Sequence, residues 1–155
     1  MADATPAQDF NNAPRLVLVC VDDVSRQSVI KAALEQLGFA MYAAKSTEEA
    51  VERLRRDTFE IAVVDEQFQG SSAADNDVLQ ALLNMPMSIR RYMYVVLLGR
   101  AYKTFDNMAA FARSVNVVVN LNDLPHLPAI LRKGITENNE FYRVFREMLA
   151  EVGKR

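Results

Sequence analysis

Few residues here are of the kinds that usually advertise chemistry. Of 155 residues one is cysteine (Cys20), one is histidine (His126) and five are glycine. A lone cysteine cannot close an internal disulfide, and Cys20 sits inside an apolar run where a packed strand residue belongs. Gly38, Gly70, Gly99, Gly134 and Gly153 make neither a G-x-G-x-x-G nor a P-loop. That excludes the common phosphate-cradling loops. No apolar stretch approaches the ~20 residues of a membrane span. The N-terminus has neither the basic start nor the apolar core of a secretory signal. A net charge of −2 supplies no excess of either sign to attract nucleic acid or an anionic membrane. Arg53, Arg55 and Arg56 lie among Glu48, Glu49, Glu52 and Asp57, as on a solvated helix face. A reducing, cytoplasmic setting is the expectation.

Apolar residues, by contrast, are plentiful. At 50% hydrophobic content the chain can fill one sizeable core. Residues 1–14, polar and proline-flanked, read as a flexible leader, and 15–155 as one domain. The runs Leu16–Val21, Ile61–Val64, Met93–Leu98 and Val117–Val119 are continuously apolar, the pattern of strands buried on both faces. Phe39–Ala44 is a shorter strand. Between them lie helical segments. Ser25 is placed to cap the first, with Val29, Ile30, Ala33, Leu34 and Leu37 on its inner face and Gly38 at its end. Ser46–Glu49 is a capping box for the second, with Ala50, Val51 and Leu54 inside. Val78–Leu83 is a short third. From Lys103, helical spacing of Phe105, Met108, Ala109, Ala112 and Val115 predicts a fourth. Pro125 and Pro128 place the start of the last regular helix near Leu127. Alternation of this kind predicts a flavodoxin-like, doubly wound sheet of five parallel strands.

In such sheets function gathers at the carboxyl ends of the strands. Asp22 and Asp23 directly follow the first strand, and Asp65 directly follows the third. Three carboxylates at one edge repel one another unless a cation or a raised pKa relieves them. A hard divalent ion such as Mg²⁺ would do so, and a neutralised Asp65 could then attack a phosphoryl group. On spacing alone a plainer arrangement stands equally open, with Asp22 capping the helix, Asp23 in its first turn and Asp65 facing solvent.

The segments RLVLVCVDD, LGF and FEIAVVD, in this order and spacing, resemble the receiver domain of bacterial response regulators, of the chemotaxis-regulator kind. The resemblance runs from about Arg15 to Ala150. It implies that Asp65 is the phospho-acceptor position. It also implies a Mg²⁺ site of Asp22, Asp23, Asp65 and the Gln67 main-chain carbonyl. Half of the family's site is missing, however. Where receivers carry a Ser or Thr after the fourth strand, this chain has Gly99; where they carry Lys-Pro after the fifth, it has Asn120-Leu121. The switch aromatic falls on Val117-Val118, and the loop after Asp65, EQFQGSSAADND, is longer. Losing the lysine removes a charge-assisted hydrogen bond, about 1.5–3 kcal/mol. Losing the hydroxyl removes the group that swings toward phosphate. These departures describe a degenerate pseudo-receiver, a signalling module acting by protein–protein contact. The runner-up is a conventional phospho-accepting single-domain regulator of a two-component phosphorelay, with Asp65 as acceptor.

Neighbours offer little compensation. Arg100 and Lys103 read as solvent-facing, and His126 as an exposed helix-start residue. A metal-dependent phosphohydrolase would need a general acid two residues after Asp65, where Gln67 stands, and Glu66 points to the other side of the strand. The chain therefore reads as a non-enzyme. Its last segment is longer than a receiver needs. Phe141, Phe145, Met148 and Val152, spaced by four, three and four, line one helical stripe. The stripe either folds back as core or is an interface. By the resemblance, the fourth helix, fifth strand and terminal helix are where a signalling partner or a second copy would bind.

Overall fold

The computed structural model describes residues 15–72 and 74–153, so the expected leader lies outside the described residues. Five strands, β1 (Leu16–Cys20), β2 (Ala40–Ala43), β3 (Ile61–Asp65), β4 (Tyr94–Gly99) and β5 (Val117–Asn120), pair in parallel in the order β2-β1-β3-β4-β5. The expected doubly wound sheet is therefore the observed one. The apolar runs do what their composition requires. Alternate residues feed opposite faces, and both faces are covered. Val17, Val19, Ile61, Val63, Val96 and Val119 pack under α1 (Val24–Gln36) and under α6 (Leu127–Gly153) through Ile30, Leu34, Leu127 and Leu131. Leu18, Cys20, Ala62, Val64 and Val95 pack under α2 (Thr47–Arg56) and α3 (Asp77–Leu83) through Ala50, Leu54, Val78 and Leu82. Leu97 and Val118 meet Ala110 of α5 (Asn107–Arg113). A short α4 (Met87–Arg90), absent from the sequence reading, lies between α3 and β4.

Several local expectations are corrected. Asp23, not Ser25, caps α1, its carboxylate accepting the Ser25 N–H at 2.8 Å. Val29 is exposed rather than on the inner face. The fourth predicted helix is shorter at its start. Phe105 adopts φ 68° before α5 and donates its N–H to the Val118 carbonyl, while Met108 faces solvent. Ser46 does cap α2, but Glu49 reaches the N–H of Lys45, one residue before the cap, and the Tyr42 hydroxyl.

Prolines close the fold as anticipated. Leu121–His126 forms a 3-10 turn, with His126 exposed, and the regular helix starts at Leu127. Only the first part of α6 covers the sheet, with Leu127, Ile130, Leu131 and Gly134 buried. The remainder is mostly exposed. No described helix is long and apolar enough to cross a membrane.

Candidate functional site

The sheet order reverses between β1 and β3, and the crevice outside their carboxyl ends is the topological switch point. All three aspartates stand there, because Cys20 pairs with Val64 while β1 runs on to Asp22 and Asp23 and β3 ends in Asp65. Asp65 is 6% exposed and Asn76 5%; these are the buried polar residues among those described. Buried polar groups need partners. Asp65 Oδ1 accepts the Gln67 N–H at 2.9 Å, while Oδ2 takes no hydrogen bond from the described residues. Asn76 donates to the carbonyls of Asp65 (3.3 Å) and Glu66 (3.2 Å), and its Oδ1 caps α3 through Val78 and Leu79. One side chain thus fixes both the end of β3 and the start of α3. The sequence reading passed over it, although an Asn before Asp77 and an apolar run is a capping signal.

The other acids turn to local donors. Asp22 receives both the main-chain N–H and the side-chain amide of Gln69, at 2.9 and 2.8 Å. Gln69 can offer both because the 3-10 turn Phe68–Gly70, anchored by buried Phe68, holds it at φ 56°. Asp23 is occupied as the cap of α1 and lies 3.9 Å from Arg26. The Gln67 carbonyl accepts the Gly70 N–H at 3.0 Å. Among the described residues no group of three or more His, Cys, Asp or Glu is placed to hold a metal ion. The expected ligands share one edge of the sheet, where Asp22, Asp23, Asp65 Oδ1 and the Gln67 carbonyl each accept a hydrogen bond from a nearby N–H.

Across the crevice, Gly99 and Asn120 are paired neighbours at the ends of β4 and β5. A Cβ on Gly99 would lie 2.5 and 2.6 Å from the ring of Tyr102 and 3.0 Å from the Glu66 carboxyl carbon. The aromatic ring therefore fills the space of any side chain at position 99. That ring also packs on the cluster of Leu97, Ala110 and Val118. An aromatic is present beside β5 after all, supplied by the loop after β4 rather than by Val117-Val118. Burial, with a hydrogen bond to the Glu66 carboxylate, pushes the Tyr102 phenol above its ordinary pKa. Glu66 faces this ring.

Asn120 is spent on the same loop. Its amide donates to the carbonyls of Arg100 (3.2 Å) and Tyr102 (2.7 Å), and its Oδ1 accepts the Asn122 N–H. Thr104 accepts the Asn120 main-chain N–H at 2.9 Å and donates to Asp123. The segment from Arg100 to Phe105 is thereby tied to β5 at several points. Arg100 is exposed, as its solvent-facing expectation has it, and its guanidinium donates to the Gln67 side-chain carbonyl. It brings positive charge toward the acids from β4 rather than β5. A groove of about 980 Å³ lined by Phe39, Met85, Ile89 and Tyr94 opens at the opposite edge of the sheet and does not extend this site.

No protein-family model matches the chain, and no curated protein matches it. Solved structures do. A response regulator from Hahella chejuensis is 15% identical over 80% of this chain and 97% of its own, with a TM-score of 0.62. One from Thermotoga maritima is 22% identical over 79% and 98%, with a TM-score of 0.60. The receiver domain of a sensor histidine kinase from Pseudomonas aeruginosa, solved with magnesium in its active-site cleft, is 16% identical over 77% and 97%, with a TM-score of 0.57. The likeness extends over nearly the whole of each of these domains, and the chain is built on the response-regulator receiver fold.

Proposed function

We propose that this chain is a receiver-fold signalling module that works by binding other proteins, without phosphorylation-driven switching at Asp65. The observation that carries the reading is the Tyr102 ring lying over Gly99, in a loop tied down by Asn120. A phosphoryl switch needs a group at the end of β4 that moves and a cation that receives the phosphate. Here the first place is filled by a packed aromatic, and the second holds an amide whose donors already serve two carbonyls.

The binding surface of the module is the face of α5, β5 and α6. Met108 and Phe111 on α5 are 77% and 82% exposed, more apolar surface than a lone helix face needs. One observation favours the conventional phospho-acceptor reading: among the described residues none donates to Asp65 Oδ2, and Arg100 stands nearby through Gln67. Incubation with acetyl phosphate and Mg²⁺, followed by intact-mass measurement, tests the choice. We expect no lasting phosphoryl adduct, and an adduct lost on Asp65→Asn substitution would establish the runner-up instead.

A further inference from the structure

We infer that the free end of α6 pairs with the same segment of a second copy of the chain, side by side, through a short two-helix seam; this rests on the reading of the chain as a protein-binding module and names one of its partners. Full burial in α6 stops at Gly134, and Ile135 is the last residue packed on the sheet core. Beyond it, Phe141, Met148 and Val152 are 64%, 64% and 63% exposed, and Val144 and Leu149 are exposed as well. Phe145 is half-buried beside the Arg91 guanidinium, 5.4 Å from its ring. The free stripe is therefore real surface in this chain, not core.

The pattern says what fits it. Phe141, Phe145, Met148 and Val152 follow the four-three-four spacing of a coiled-coil seam, with Val144 and Leu149 as its apolar shoulders. No charged residue of α6 occupies these positions, and Arg91 lies at the edge of the stripe beside Phe145. Several charges behind it are paired within the helix: Arg143 bonds Glu140 at 2.8 Å and Glu147 at 2.9 Å, and Lys133 bonds Glu137 at 2.9 Å. An apolar, heptad-spaced stripe is matched by another like itself, and a second copy supplies one. The segment after Ile135 is about 27 Å long at ~1.5 Å per residue. Two such faces cover on the order of 1,000 Å², the lower bound for a specific interface. The dimer is therefore expected to be reversible rather than permanent.

Sedimentation equilibrium of the whole chain over roughly 10 to 500 micromolar tests this. We expect the weight-average mass to climb from monomer toward dimer. Met148→Glu with Val152→Glu should return it to monomer without changing the far-ultraviolet spectrum or the melting temperature, and the milder Val152→Gln should weaken pairing in part. Phe111→Glu, on α5 and outside the seam, should leave the dimer intact. A wild-type mass that stays monomeric throughout overturns the inference, as does a dimer indifferent to the α6 changes or lost on Phe111→Glu. None of these outcomes bears on acetyl phosphate labelling, so failure here is distinct from failure of the functional reading.

Discussion

Position 99 shows how one missing side chain reorganises a site. With no Cβ at Gly99, Tyr102 can lie flat against the end of β4 and reach Glu66. Restoring a hydroxyl by Gly99→Ser forces that ring out. We expect a cost of about 1–3 kcal/mol in a denaturant titration, the range for overpacking, and recovery of part of it in the double variant with Tyr102→Ala. Asn76→Ala removes a cap and strips two carbonyls of their donor, so it should cost about 1–3 kcal/mol by the same measurement. At the buried end of β1, burial and then the charge of Asp22 push the Cys20 thiol up to about 12. The native protein should resist thiol reagents at pH 8 and react once unfolded. Above the ordinary thiol value the unfolded chain loses this proton while the folded chain keeps it. Stability should therefore fall with rising pH toward 12, with a slope of up to about 1.4 kcal/mol per unit that Cys20→Ala removes. The positions of Asp22, Asp23 and Asp65 were legible because each ends an apolar run. Their partners were not, since Gln69 reaches Asp22 through a left-handed turn that no periodicity announces.

At the scale of elements, strands proved easier to read than helices. A buried strand demands an unbroken apolar run, and β1, β3, β4 and β5 each have one. Helical spacing is weaker evidence when a segment has another way to satisfy its backbone. Lys103–Asp106 carries helix-like spacing, yet the Phe105 N–H and the Thr104 hydroxyl serve β5, so α5 begins only after the Asp106 cap. Close packing of α6 on the sheet depends on Gly134. A Cβ there would fall 1.9 Å from the Tyr94 hydroxyl oxygen, and Tyr94 is itself buried. Gly134→Ala should therefore destabilise the fold by about 1–3 kcal/mol despite its better helix propensity. A thermal melt showing stabilisation would mean that the ring has room to move.

For the whole molecule, topology brings the acids to the switch point, but topology does not decide what they do there. The fold was legible because alternating buried runs and capped helices admit few arrangements. The state of the site was only half legible. Absence of the β4 hydroxyl and the β5 lysine was plain in the sequence. That the loop between them would be tied to β5 by Asn120 and Thr104, and covered by Tyr102, depends on contacts between residues far apart in the chain. The central claim is that this half of the site is locked. The most direct test is the amide spectrum of the protein with Mg²⁺ before and after beryllofluoride, a phosphoryl mimic. The locked site predicts that any changes stay within the loops bearing Asp22 and Asp65, with the amides of Gly99 to Phe105 and of β5 unmoved. Shifts spreading from Asp65 through Tyr102 and along β4 and β5 would contradict it.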